Sequence, residues 1–241
     1  MPLALFALTI SAFAIGTTEF VIVGLVPTIA QQLAISLPSA GMLVSIYALG
    51  VAIGAPVLTA LTGSLPRKQL LVALMVLFTA GNLLAWQAPG YMTLIVARLL
   101  TGLAHGVFFS IGSTIATSLV PKEKAASAIA IMFGGLTVAL VTGVPLGTFI
   151  GQHFGWRETF LAVSMLGVIA LISSQLLIPA NIPGRAAASI RDQVKVLTHP
   201  RLLLIYAVTA LGYGGVFTAF TFLAPMMQDL AGFSPAAVSW I

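Results

Sequence analysis

Charged residues are so rare in this sequence that most of the chain has nothing to keep it in water. Ten Lys and Arg and five Asp and Glu residues occur among 241, and the stretches 69–97, 125–156 and 202–228 contain none. A soluble domain carries about a quarter of its residues as charge, whereas a bilayer-crossing helix needs roughly 20 consecutive apolar residues. With a mean hydropathy of +1.12, the sequence excludes a water-soluble globule and indicates an all-α membrane protein.

The few charges and the Gly and Pro turns divide the chain into seven predicted spans. The spans are expected at 3–29, 40–61, 69–87, 91–119, 125–150, 159–178 and 202–227. A further segment begins at residue 235. Seven spans leave only short loops, so no sizeable soluble domain is expected. The sequence has no cysteine, which excludes disulfides and Cys-ligated metals, and no cofactor or metal is expected.

The basic residues predict the orientation of the spans. Eight of the ten lie in even-numbered loops: Arg67, Lys68, Lys122, Lys124, Arg185, Arg191, Lys195 and Arg201. Because Lys and Arg in short loops mark the cytoplasmic side, the N-terminus is expected in the cytoplasm. A secretory signal is disfavoured, since the first segment lacks a basic start, is long and has no cleavage site. The basic residues form no dense patch, so nucleic acid is not an expected partner.

A polar interval and an internal similarity predict how the chain is divided. The interval 180–200 places Ile190, Val194 and Leu197 on one helical face, which predicts a cytoplasmic linker with a short amphipathic helix. Residues 20–43 resemble 217–240, with a Pro, a polar loop and a Ser/Pro start in matching order.

Such duplication is typical of transporters. We therefore expect an N-terminal six-helix half at 1–179, the linker at 180–200 and the start of a second half at 201–241. On this hypothesis about seven of about twelve spans are present. Chance similarity between two apolar helices is the alternative.

Two charges fall inside predicted spans, Glu19 in the first and Arg98 in the fourth. A charge at bilayer depth costs about 2.5–3.5 kcal/mol, so each is expected to face a cavity or a partner. From the outer ends of their helices, Glu19 lies about 12 Å deep and Arg98 about 9 Å deep. They are thus expected to form a pair or share a polar cavity, with Glu19 as a proton carrier. A static ion pair is the alternative. His105, about two turns deeper than Arg98, is expected to relay protons, bind substrate or hydrogen-bond a neighbouring helix.

Small residues recur at intervals of four in the fifth, fourth and second spans. The rows are Gly135, Ala139, Gly143, Gly147 and Gly151 in the fifth, Gly102 and Gly106 in the fourth, and Gly50 and Gly54 in the second. Such rows allow helix backbones to approach closely in lipid. Pro145 adds a predicted kink to the fifth span.

The segments TTEFVIVGLVPTIAQQL (17–33), RLLTGLAHG (98–106), GLTVALVTGVPLGTFIG (135–151) and GWRETF (155–160) resemble signatures of one family. The chain is similar to the drug:proton antiporter branch of the major facilitator superfamily, with bacterial sugar-efflux, arabinose-efflux and chloramphenicol-resistance exporters closest in character. The resemblance implies a helical bundle working by alternating access. It further implies that Arg98 serves proton coupling and that Gly143, Pro145 and Gly147 favour export.

The loop between the second and third spans departs from that family. The family pattern is Gly-x-x-x-Asp-Arg-x-Gly-Arg-Arg/Lys. The residues here in place of its Gly, Asp, Arg and second Gly are Thr59, Gly63, Ser64 and Pro66, and only Arg67 and Lys68 remain. The charge latch of many relatives is thus left without its Asp.

The expected function is export of a small molecule, drug or sugar-like, across the bacterial inner membrane in exchange for protons, by a monomer in the lipid bilayer. A proton-independent facilitator is the alternative. A membrane-embedded enzyme is disfavoured because HExxH, GxSxG and phosphate-loop motifs are missing, and a channel because repeated polar segments are missing. The candidate substrate-cavity residues are Tyr47, His105, Phe108, Phe133 and Tyr213.

Overall fold

The structure, a computed structural model, describes residues 2–58, 61–63, 65–182, 198–234 and 237. Within these ranges every regular element is helical, and seven helical stretches are long and apolar enough to cross a membrane. This confirms the seven-span prediction. The expected amphipathic helix with Ile190, Val194 and Leu197, the basic residues Arg185, Arg191 and Lys195, the loop residues Thr59 and Ser64, and the expected helix start at residue 235 lie outside the described residues.

The helices are α1 (Leu3–Gln32), α2 (Leu37–Ile53), α3 (Arg67–Trp86), α4 (Tyr91–Ser118), α5 (Ala125–Val138), α6 (Val144–His153), α7 (Trp156–Leu177), α8 (Pro200–Thr221) and α9 (Leu223–Asp229). From α1 to α7 the helices follow one another with short connections. A π-helical turn at Gly54–Leu58 extends α2, and another at Ala139–Gly143 joins α5 to α6. The fifth span is therefore α5, the π turn and α6 together, α7 is the sixth span, and α8 is the seventh.

Local signals explain several helix ends. The Ser36 side chain caps α2 by accepting a hydrogen bond from the Ser39 N–H, as N-cap serines do. Gly155, with φ of 103°, makes the turn that starts α7, a conformation that glycine adopts without strain. The sequence predicts a seventh span that runs to residue 227, but Phe222 leaves the helical conformation and separates α8 from α9.

The first six spans pack in a symmetric pattern. The fifth span packs against α1 as α4 packs against α2, and α7 packs against α1 as α3 packs against α4. Exchanging the first three spans with the next three therefore preserves these contacts. Three-helix repeats of this kind build the halves of many transporters. The helix α8 lies largely exposed, and its aromatic residues Phe217 and Phe220 meet Phe20 of α1.

Glycine rows line the two equivalent close contacts. A Cβ on Gly50 would lie 2.6 Å from the carbonyl oxygen of Leu99, and a Cβ on Gly54 would lie 2.7 Å from that of Leu103. At the other contact, Gly135 faces the backbone of α1 near Thr9. Because no side chain fits between these backbones, the structure confirms the prediction that the small-residue rows pack helices closely.

Candidate functional site

A polar layer crosses the bundle between two apolar clusters. One cluster contains buried residues of α1 up to Ile15, and the other contains buried residues of α1 from Val21 onward. Thr17, Thr18 and Glu19 therefore lie between the two clusters. In the same layer α2 contributes Tyr47, α3 contributes Thr79 and Asn82, and α4 contributes Arg98 and Thr101. Apart from Glu19, these residues are buried, and groups so placed need internal partners.

Three consecutive residues of α1 serve three different neighbours, because successive helical residues point about 100° apart. Thr17 lies against Gly143 of the π turn. The Thr18 hydroxyl donates to Oδ1 of Asn82 at 2.6 Å. Glu19 faces a cavity, with its side chain 19% exposed. Thr17 thus packs against the small-residue row of the fifth span, Thr18 bonds within the polar layer, and Glu19 lines the cavity.

Arg98 is held inside the layer by α1 and α2. Its Nη1 donates to the Thr18 carbonyl oxygen at 2.8 Å and its Nε to that of Leu43 at 3.4 Å. The guanidinium carbon lies 4.1 Å from the centre of the Tyr47 ring, an arrangement that attracts a cation to the ring face. Arg98 is 1% exposed, so these neighbours separate the guanidinium from direct contact with the cavity.

The expected pair between Glu19 and Arg98 is not formed. Across the part of the chain that the structure describes, the basic side chain beside the Glu19 carboxyl is His105, whose Nδ1 lies 3.7 Å from Glu19 Oε2 and forms an ion pair only when the imidazole is protonated. The same Nδ1 lies 2.9 Å from the Tyr47 hydroxyl, which fulfils the expectation that His105 hydrogen-bonds a neighbouring helix. Glu19, His105, Tyr47 and Arg98 therefore form one chain of contacts, with the two charged ends apart.

The cavity beside Glu19 has a volume of about 790 Å³. It lies between α1, α2, α4 and α8, and its ionisable lining residues among those described are Glu19, His105 and Tyr213. Ser45, Thr218 and Thr221 add hydroxyls, and the rest of the lining is apolar or aromatic, including Met42, Phe217 and Phe222. The arrangement can hold a mostly apolar small molecule with one polar group directed at Glu19.

The five candidate cavity residues occupy different places. His105 and Tyr213 line the cavity, and Tyr47 stands behind His105. Phe133 is 39% exposed and packs on Phe109, away from the lining. Contrary to the expectation, Phe108 does not line the cavity, because it lies fully buried in an apolar cluster with Ile111 and Met132. The next residue, Phe109, packs against His105 instead, and the centres of these two rings lie 4.9 Å apart.

Sequence reasoning did not single out Asn82, which anchors Thr18 from α3. An amide within an otherwise apolar predicted span was the available signal, since its polar atoms need partners there. The cavity contributions of Phe217 and Thr221 carried no such signal, because aromatic and hydroxyl residues are frequent along the seventh span.

The remaining expected motif residues lie outside this cavity. Pro145 follows the π turn Ala139–Gly143, and a residue without an N–H is accommodated where the helical ladder is already interrupted. Gly147 faces Val21 of α1. Arg67 and Lys68 lie in the first turn of α3, where Lys68 borders a separate groove with Gln69 and Gln175.

One proline from each of the two similar segments lines a shared cavity. Pro27 of α1 and Pro225 of α9 line one small cavity of about 280 Å³, together with Gln31 and Asp229. Among the described residues no group of three or more His, Cys, Asp or Glu side chains is placed to hold a metal ion.

Comparison with known proteins identifies relatives that match nearly the whole length of this chain. The sequence model described as Major Facilitator Superfamily matches residues 8–241. YtbD of Bacillus subtilis, an uncharacterized MFS-type transporter, is 53% identical over 99% of this chain. The inner membrane transport protein YdhP of Escherichia coli K12 is 46% identical over 98%. A chloramphenicol resistance protein of Streptomyces lividans is 37% identical over 99%. The chain spans 60% of YtbD, 60% of YdhP and 62% of the Streptomyces protein.

A solved structure has the same fold. It is a bacterial homologue of the human lysosomal transporter Spinster in an inward-facing, unoccupied conformation, and it matches 98% of this chain with a TM-score of 0.76. The identity is 19%, and the match covers 57% of that chain. At this identity the likeness establishes the helical arrangement alone.

Proposed function

Because this chain belongs to the major facilitator superfamily, we propose that the protein is a secondary active transporter that exports a small molecule by alternating access. In this mechanism two bundles rock about a central site that opens first to one side and then to the other. The six packed spans supply one bundle. The cavity that Pro27 and Pro225 line together supports the proposal that residues 201–241 begin the second bundle, after a linker at 180–200.

The observation that carries the proposal is the position of Glu19. It is an acid within a span, it lines a cavity of about 790 Å³, and it contacts His105 instead of a fixed cation. An intramembrane acid of this kind is a candidate proton carrier, because it can lose its proton to water in the cavity and regain one. We therefore propose exchange of substrate for protons, with Glu19 as the carrier.

Separate features support the direction of transport and the substrate class. The glycine row with Gly143, Pro145 and Gly147 packs the fifth span against α1, and its resemblance to the antiporter motif supports export. One relative is named for chloramphenicol resistance, and the cavity lining is largely apolar. Both features favour a drug-like, neutral or lipophilic compound over a strongly hydrated one.

Further features of the proposal come from loop charge and from relatives. The eight basic residues of the even loops support a cytoplasmic N-terminus. The name of the Escherichia coli relative supports the bacterial inner membrane as the location. We propose a monomer without enzymatic activity, since the cavity and Glu19 on which the transport proposal rests lie within one chain.

The test uses protein expressed from the complete coding sequence, reconstituted in vesicles with an imposed pH gradient and chloramphenicol as the probe. We expect the gradient to drive accumulation of the probe. Glu19→Gln should abolish this accumulation and leave probe exchange at zero gradient intact. Glu158→Gln is the matched control, because Glu158 contacts Trp86 away from the cavity, and it should behave as wild type.

Two outcomes decide between the hypotheses. Gradient-driven accumulation that persists in Glu19→Gln contradicts the carrier role. Wild-type flux that ignores the gradient supports the proton-independent facilitator, in which Glu19 only binds substrate.

A further inference from the structure

Tyr47 touches both ends of the charged chain of contacts. It is 2% exposed. The face of its ring lies against the Arg98 guanidinium, and its hydroxyl lies 2.9 Å from Nδ1 of His105. Tyr47 thus contacts Arg98 and His105 at the same time. The tyrosine is therefore placed to transmit the position of one to the other.

Arg98 is fixed by backbone groups on both sides of the tyrosine. Its Nε bonds the carbonyl oxygen of Leu43, one turn before Tyr47 in α2, and its Nη1 bonds that of Thr18, next to Glu19 in α1. Backbone carbonyls within helices have little freedom to move. The guanidinium thus sets where the Tyr47 ring lies relative to α1.

One nitrogen of His105 faces two oxygens. Nδ1 lies 2.9 Å from the Tyr47 hydroxyl and 3.7 Å from Oε2 of Glu19. An imidazole nitrogen either accepts a hydrogen bond through its lone pair or donates its proton, according to the tautomer and charge of the ring. The hydrogen bond with the tyrosine hydroxyl therefore influences whether Nδ1 carries a proton. This in turn determines whether the Glu19 carboxyl faces an N–H group or a lone pair.

The other groups around this pair are few. Among the described residues, α2 presents Tyr47, α4 presents Arg98 behind it, and α8 presents Tyr213 across the cavity. From the fifth span, Phe133 reaches this region only through its contact with Phe109. Titration of Glu19 is thus expected to respond to His105, to the Tyr47 hydroxyl that positions His105, and to the charge of Arg98.

We propose that Tyr47 is a positioning residue that holds His105 beside Glu19, and that Arg98, which does not pair with Glu19, anchors the ring of this tyrosine. The inference rests on the proposed role of Glu19 as proton carrier. It assigns the hydroxyl of Tyr47 to proton coupling and the ring of Tyr47 to anchoring by Arg98.

The experiment measures protonation of Glu19 without any substrate. Protein from the complete coding sequence, in lipid vesicles, is treated with N,N′-dicyclohexylcarbodiimide across a range of pH. This reagent modifies protonated carboxyls in apolar surroundings, and mass spectrometry quantifies the modified Glu19 peptide. Tyr47→Phe removes the hydroxyl and keeps the ring over Arg98. We expect the pH of half-labelling to move by roughly half to one unit, the shift that corresponds to one net hydrogen bond.

Two further variants separate positioning from general damage. Tyr91→Phe is the matched control, since the Tyr91 hydroxyl also joins α4 to α2, by donating to the Ser39 carbonyl oxygen, but far from Glu19. It should leave the labelling midpoint unchanged. His105→Leu removes Nδ1, so adding Tyr47→Phe to it should produce no additional shift, as expected for two residues that act through one contact.

The outcomes distinguish this inference from the proposed function. A midpoint that is the same in Tyr47→Phe and wild type, an equal shift in Tyr91→Phe, or a full extra shift in the double variant overturns the positioning role. Absence of Glu19 labelling at every pH overturns it as well. If flux ignores the pH gradient while the labelling shifts are as expected, proton-driven export is refuted and the positioning role of Tyr47 stands.

Discussion

Gly134 and Gly135 are adjacent in α5 and meet opposite surroundings. A Cβ at position 134 would have nothing within 4 Å. A Cβ at position 135 would run into the Thr9 carbonyl oxygen of α1 and lie 2.9 Å from the Phe13 nitrogen and 3.1 Å from the Ala12 Cβ. Two of these three atoms are backbone, so they cannot rotate aside as a flexible side chain would.

Comparing the two alanine variants isolates the clash. Both Gly134→Ala and Gly135→Ala gain the helix propensity of alanine, about 0.8–1.0 kcal/mol on peptide scales, so this gain cancels in their difference. Overpacking at a well-packed contact costs about 1–3 kcal/mol. The Thr9 hydroxyl also bonds the Ile131 carbonyl oxygen across this interface at 3.0 Å, and separating the helices weakens that bond. We expect Gly135→Ala to be less stable than Gly134→Ala by about 1–3 kcal/mol.

The assay is reversible unfolding in mixed micelles, titrated with sodium dodecyl sulfate and followed by far-ultraviolet circular dichroism. Gly134→Ala should match or exceed wild type. The reasoning is refuted if the two variants differ by less than about 0.5 kcal/mol, the ordinary scatter of neutral substitutions, or if Gly134→Ala is the less stable of the two.

The same assay checks two further expectations. Phe108→Ala should lose about 3–5 kcal/mol because Phe108 is fully buried, and Phe133→Ala should lose much less because its ring is partly exposed; equal losses would contradict the assignment of Phe108 to the core. Thr18→Val should cost about 0.6–1.7 kcal/mol of unfolding free energy, because it leaves buried Asn82 Oδ1 without its donor. Thr142→Val removes an exposed hydroxyl that bonds the Val138 carbonyl oxygen of the same span and should cost nothing measurable. A similar loss in both variants would show that the Asn82 contact contributes little.

Depth along the helices was predictable, and direction around them was not. The rise per residue of an α-helix is constant, so counting residues correctly placed Glu19 and Arg98 at one level, where the structure has its polar layer. Whether two residues at one level touch depends on how each helix is rotated and how far apart the axes lie. Tyr47 occupies the space beside Arg98, and His105 takes the place beside Glu19.

The aromatic cavity residues show the same limit. Phe108 and Phe109 are neighbours of one type, and hydropathy treats them alike. Only the packing of α4 against its neighbours decides that Phe108 enters the core and Phe109 meets His105. Glycine rows were easier to interpret, because a row at intervals of four is useful only where two backbones approach closely.

The sequence by itself determined that this is a membrane protein, the number of spans among the described residues, the rows along which helices pack, and which few charges are out of place in lipid. These properties belong to single segments, since hydropathy, spacing and charge are read along one helix at a time. The tertiary structure decided which polar groups meet, because a contact depends on the rotation and separation of two helices. It replaced the expected Glu19–Arg98 pair with a chain through His105 and Tyr47, and it placed the cavity between four spans whose adjacency no single segment encodes.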